Sequence, residues 1–269
     1  MTVRALAEIL RAVPACTPAR KPLYLATGLR LRIIAQAESL VIQQPAKSDR
    51  RFPLARIDRV VCGSQTDWSG EALALCMANG VTITWVSGRG EVLGQCASSR
   101  RVAASREARL ESFLDHPDWE TRYRDWLRSR RMSVLMDWAA ARAGRNAAPR
   151  AAVLERHKRE YVYHAVITEV FGTEAKGWCH AWTVARLREA GLAARYWGHD
   201  ASALDLADDI AGLLWAEINL AGGAIVKGAS GGRDGMLFFE NWTRLNGARP
   251  ADHLAQLNRL VARENETWR

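Results

Sequence analysis

The chain has 269 residues, 48% of them hydrophobic and 25% charged, with a formal net charge of +9 carried mostly by arginine. That length supports one large domain or two modest ones with their own cores, and the positive excess points to an acidic partner, nucleic acid first. Five cysteines without Cys-x-x-Cys or Cys/His ligand spacing argue against a zinc site or a disulfide framework and fit a reducing cytoplasm, and no apolar run approaches the ~20 residues of a membrane span.

Residues 1–22 contain a short amphipathic segment interrupted by Arg4 and Arg11, with no h-region and no small-residue cleavage site, so a signal peptide is not expected. From Leu23 the pattern turns to β. Leu23-Tyr24-Leu25, Leu29-Arg30-Leu31-Arg32-Ile33-Ile34 and Ser39-Leu40-Val41-Ile42-Gln43 read as short strands, the second alternating apolar residues with arginine. Phe52 to Gly63 reads as another strand. Residues 69–79 follow as a helix, capped by Ser69 and closed by Asn79-Gly80. Val81 to Val86 is the next strand, Ser87-Gly88-Arg89-Gly90 a hairpin turn, and residues 91–94 its return.

Beyond Ser98 the composition changes. Arg100, Arg101, Arg106 and Arg109 read as a basic linker, after which the periodicity is helical. Residues 119–143 form one long helix carrying the run Arg128-Ser129-Arg130-Arg131, either a solvated face or a row of phosphate contacts. Gly144 to Pro149 breaks it. A helix from Ala151 carries Glu155, Glu160, Tyr161 and Tyr163; residues 174–190 form another, ended by Gly191; residues 221–235 are glycine-rich and read as a loop; residues 236–245 and 250–264 close the chain as helices. Most of the eleven tryptophans are expected to anchor helix packing. This divides the chain into an extension (1–22), a β-rich domain (23–97) and a larger helical domain (98–269), an α+β protein.

The densest polar chemistry lies at Gly198-His199-Asp200-Ala201-Ser202-Ala203-Leu204-Asp205-Leu206-Ala207-Asp208-Asp209-Ile210. Ser202 reads as an N-cap with Asp205 three residues on, and Leu206, Ile210, Leu213, Leu214 and Ile218 give the helix an apolar face. Asp205 sits at i,i+3 and i,i+4 from Asp208 and Asp209, so the carboxylates repel unless compensated. Two compensations remain open on spacing alone: the positive end of the helix dipole, or a divalent cation shared by carboxylate and imidazole.

This order of segments resembles the integrase family of CRISPR adaptation. The likeness is carried by Gly28-Leu29-Arg30-Leu31, by the stretch from Phe52 to Val61, by Ala72-Leu73-Ala74-Leu75-Cys76-Met77-Ala78-Asn79-Gly80-Val81 and the Ser87–Gly90 turn, and more loosely by Ala190-Gly191-Leu192, His199 and Ser202 to Asp208. The resemblance implies a β-rich domain followed by an all-helical catalytic one. It also implies a metal site of Glu155, His199 and Asp208 holding Mg²⁺ or Mn²⁺, with Glu160 as the alternative to Glu155 and Asp205 in a structural role. The implied reaction inserts short duplex DNA fragments, prespacers, into the repeat DNA of a CRISPR array by transesterification. Implied partners are double-stranded DNA, a second copy of the chain and a small ferredoxin-like protein, with no membrane. Two other readings stay open. One is a casposase-like integrase of a mobile element, which is expected often to carry an added DNA-reading domain, for which a chain ending at Arg269 has no room. The other is a non-catalytic DNA-binding scaffold, suggested by the short intervals from Glu155 to His199 and from His199 to Asp205.

Overall fold

The computed structural model describes residues 20–26, 28–98, 104–144, 147–167, 174–192, 194–197, 204–222 and 232–267. Strands come first: β1 (Lys21–Tyr24), β2 (Leu31–Gln36), β3 (Ser39–Gln43), β4 (Arg50–Pro53), β5 (Ile57–Gly63), β6 (Thr66–Trp68), β7 (Thr82–Val86) and β8 (Val92–Cys96). They form two four-stranded sheets, ordered β1-β5-β7-β8 and β4-β3-β2-β6. β5 pairs in parallel with β1 and β7, as its nearly continuous buried run requires of a strand covered on both faces. The single strand read over residues 52–63 is two. Leu54–Arg56 forms a helical turn after Pro53, so β4 and β5 enter different sheets. β6, three residues beside β2, is too short to show in the hydrophobic pattern.

The first helix, α1 (Gly70–Ala78), is as the sequence indicates. The Ser69 hydroxyl accepts from the Ala72 N–H at 3.1 Å, and Gly80 takes φ +66° just past its end. The Ser87–Gly90 turn joins antiparallel β7 and β8, its Ser87 hydroxyl accepting from the N–H groups of Arg89 and Glu91.

The helices that follow are α2 (Ala104–Leu114), α3 (Trp119–Ala143), α4 (Ala151–His157), α5 (Glu174–Glu189), α6 (Leu206–Gly222), α7 (Gly232–Leu245) and α8 (Arg249–Thr267). α4 runs on into a wider π-helical segment over Lys158–Tyr163. The basic stretch after Ser98 is in part α2 rather than a linker: Phe113 is fully buried, and Glu107, 5% exposed, pairs with Arg195. Gly232–Gly235, read as part of a loop, begins α7. No helix among the described residues is long and apolar enough to cross a membrane.

Two cores result. The smaller is shared by strands of both sheets and α1, with Ile33, Leu40, Leu54 and Ile83 fully buried. The larger reaches from Val61 and Val86 on the first sheet through α3, α5, α6, α7 and α8, so the helical part packs directly on the strands. Tryptophans pin it together: Trp182 on α5 meets Phe239 and Trp242 on α7 edge-on, with ring centroids 6.4 and 6.0 Å apart. α6 packs between α5 and α3, which sets its N-terminus against the first turns of α3.

Candidate active site

α6 begins one residue after Asp205, not after Ser202. The Asp205 carboxylate accepts from the Asp208 N–H at 2.8 Å, so Asp205 is itself the N-cap; Ser202 lies outside the described residues. Capping consumes one of the three acids and turns the other two into the cleft beside it. Asp208 is exposed and makes no ion pair with a described base. Asp209 is half-buried, and its Oδ2 accepts from the Tyr123 hydroxyl at 2.8 Å. Burial pushes the Asp209 carboxyl up to about 6; the neighbouring charges of Asp205 and Asp208 add to this, while the Tyr123 hydrogen bond and the Arg131 charge act against it. Burial and the same Asp209 charge raise the Tyr123 phenol, which therefore stays a donor.

The cleft over these acids has a volume of about 340 Å³ and is lined on its other sides by Arg131 of α3, Tyr161 of the π segment, Ala165 and Val166 beyond it, Lys176 of α5 and Trp215 of α6. Two local features build that wall. The π segment rotates the chain relative to an α-helix, a distortion that recurs at functional sites. Ala165 then adopts φ +57°, a left-handed conformation costly for a residue with a Cβ, while its N–H bonds the Tyr161 carbonyl at 3.0 Å.

The residues expected from the sequence divide as follows. Asp208 lines the cleft. Glu155 stands on α4, exposed and paired with Lys158 at 3.7 Å, and is not among the residues lining the cleft. Glu160 is half-buried on the π segment. His199 lies outside the described residues, so the convergence of Glu155, His199 and Asp208 is not observed in either sense. Among the described residues no three of His, Cys, Asp and Glu cluster as a complete metal cage. Sequence reasoning passed over Asp209, Tyr123 and Tyr161 as site residues. Adjacency to Asp208 was the available signal for Asp209; for the tyrosines, which come from distant segments, there was none.

A family model described as CRISPR associated protein Cas1 matches residues 25–186, the stretch from just after β1 through most of α5, which stops short of the acids on α6. The fold is similar to that of a CAS1 protein from Thermotoga maritima, with a TM-score of 0.67 and 11% identity over 90% of this chain and 97% of that one. It is similar too to TtCas1 in a complex with DNA, with a TM-score of 0.58 and 16% identity over 88% of this chain and 91% of that one. A casposase bound to integration product follows, with a TM-score of 0.55 and 14% identity over 82% of each chain. No curated protein matches the sequence.

Proposed function

The chain belongs to the CRISPR-associated Cas1 family, and from that premise we propose that it is a divalent-metal-dependent DNA integrase that joins short duplex fragments, prespacers, to CRISPR repeat DNA. The observation that carries this reading is the acidic head of α6, where Asp208 and Asp209 face one cleft with Arg131 and Lys176 and pair with neither. The donor set fits a hard cation. Asp208 is open to solvent without a basic partner, and Asp209 is a poorly solvated carboxyl whose ionised form a cation would favour. Asp208 is thus the ligand best supported by geometry, and the family resemblance adds His199 and Glu155. When bound, Mg²⁺ or Mn²⁺ would polarise the scissile phosphodiester and stabilise the departing oxygen.

The chain's own residues position the rest. Asp205 caps α6 and keeps its first turn rigid, and Tyr123 holds one oxygen of Asp209 so that the other is free to turn into the cleft. The reaction is an exchange of esters. The 3′-oxygen of the incoming fragment forms a bond to phosphorus, the old P–O3′ bond breaks, and the proton lost by the nucleophile is balanced by one gained on the leaving 3′-hydroxyl. No net energy input is required, so catalysis is positioning and charge neutralisation. The positive surface holds DNA backbones without reading bases. A solved casposase carries an integration product, which supports the same chemistry here. A homodimer and a small ferredoxin-like partner complete the proposed assembly.

Metal-dependent joining of a labelled duplex to a repeat-bearing plasmid tests the reading. Asp208→Ala and His199→Ala should each lower joining by at least about 100-fold, while duplex affinity stays within a few-fold and weakens steeply as salt rises. Glu155→Ala and Glu160→Ala, run alongside, identify which glutamate serves. Tight duplex binding with no joining by the wild type, with the small partner and either metal supplied, would replace the integrase with a scaffold.

A further inference from the structure

We propose that the Tyr161 hydroxyl, in the cleft that Arg131 and Lys176 also line, is a seat for a non-bridging oxygen of a DNA phosphodiester. The seat is read from geometry; the identity of its ligand rests on the integrase reading. Tyr161 is 4% exposed, yet its hydroxyl oxygen is buried with no hydrogen-bond partner among the described residues. Native structures rarely leave such a group unmet unless a ligand or water satisfies it. This one belongs to a residue lining the cleft that also holds Asp208 and Asp209. Burial raises the phenol above its ordinary range, so across the physiological span it carries its proton and can only gain by donating it.

The charges acting on Tyr161 are Arg131 and Arg130 against the single carboxylate of Glu217, a basic balance. Arg131, half-buried, and Lys176, exposed, make no ion pair with any described carboxylate, although two carboxylates share their cleft. Opposite charges in one cleft that stay apart leave room for a ligand between them, a cation on the acidic side and an anion on the basic side. A phosphodiester oxygen suits the basic side because it accepts from a hydroxyl and a guanidinium together. The backbone is committed to this arrangement: the π segment and the left-handed Ala165 hold Tyr161 inward, whereas Tyr163, two residues on, is 56% exposed.

Tyr161→Phe deletes one oxygen and no packing. In single-turnover joining at saturating DNA it should be slower by roughly tenfold or more, with duplex affinity unchanged and a thermal midpoint equal to or above that of the wild type. Tyr163→Phe on the same segment should join at the wild-type rate. A second readout does not depend on joining: in EDTA, the dinucleotide phosphodiester thymidylyl-thymidine should raise the wild-type midpoint, and both Tyr161→Phe and Arg131→Gln should diminish that shift. Wild-type protein that joins nothing but shows a Tyr161-dependent dinucleotide shift keeps the seat and removes the integrase. A Tyr161→Phe protein with the wild-type dinucleotide shift overturns the seat whatever its joining rate, and so does a wild type that the dinucleotide does not stabilise.

Discussion

Three carboxylates within five residues do three different things, and the backbone decides which does what. Asp205 faces back along α6 and closes its first turn, Asp209 is drawn under Tyr123, and Asp208 is left in the open. The repulsion expected from their spacing is met partly by the unpaired N–H groups of the helix start and partly by separation, since only Asp208 and Asp209 line the cleft. Asp205→Ala should therefore lower stability by about 1 kcal/mol, the usual worth of a side-chain cap, and reduce joining far less than Asp208→Ala does. Asp205→Asn, which retains the acceptor, should restore most of the loss. Urea unfolding of the three proteins checks this, and a wild-type midpoint for Asp205→Ala would show that the cap contributes nothing.

At the scale of elements, α5 is the part that brings sheet and cleft together. One of its faces lies on β5 and β7 and another on α6, and it supplies Lys176 to the cleft. Gly177 makes the contact with the sheet possible. A Cβ there would stand 2.6 Å from Val86 Cγ1 and 2.8 Å from the Gly90 carbonyl oxygen, and the second is backbone that cannot swing aside. The glycine is thus the cost of close approach in a helix interior, where glycine is otherwise unfavourable. Gly177→Ala should raise local helix propensity yet destabilise the protein by roughly 1–3 kcal/mol, and it should slow joining through displaced Lys176, while Gly212→Ala, in open space on α6, does not destabilise. Equal thermal midpoints for Gly177→Ala and wild type would mean that α5 can shift without consequence.

For the molecule as a whole, the decisive contact is a buried cation where the first sheet meets the helices. Arg59 of β5, 3% exposed, bonds Asp58 at 2.9 Å and the Tyr24 hydroxyl at 3.1 Å, and lies 3.6 Å from Glu240 of α7; Tyr24 in turn donates to Glu240 at 2.6 Å. Arg186 of α5 reaches the same Asp58 at 3.1 Å. Three segments far apart in sequence meet at one guanidinium and a fourth at its partner Asp58, so truncating Arg59 strands carboxylates rather than simply losing a contact. Arg59→Ala should cost about 3–5 kcal/mol. Adding Glu240→Gln should cost less in the Arg59→Ala background than in the wild type, because the stranded charge is then gone. Additive losses in that double-mutant cycle would show that Arg59 and Glu240 are not coupled.

Local chemistry is what the sequence by itself determined. Ser69 and Asn79-Gly80 bound α1, the long helix over Trp119–Ala143 is complete within its own periodicity, and the alternation at the start of β2 and the turn at Ser87–Gly90 follow from residues that interact with near neighbours. The family resemblance likewise rested on contiguous motifs. The tertiary structure decided everything that depends on which distant groups meet. It split residues 52–63 between two sheets, moved the cap of α6 from Ser202 to Asp205, and placed Tyr123 against Asp209 and Tyr161 in the cleft that the acids line. A carboxylate's task depends on its solvation and on its partners, and both are set by packing across gaps of tens of residues. Spacing along the chain could mark Asp205, Asp208 and Asp209 as a group; only burial beneath Tyr123 and a hydrogen bond to a helix N–H could tell them apart.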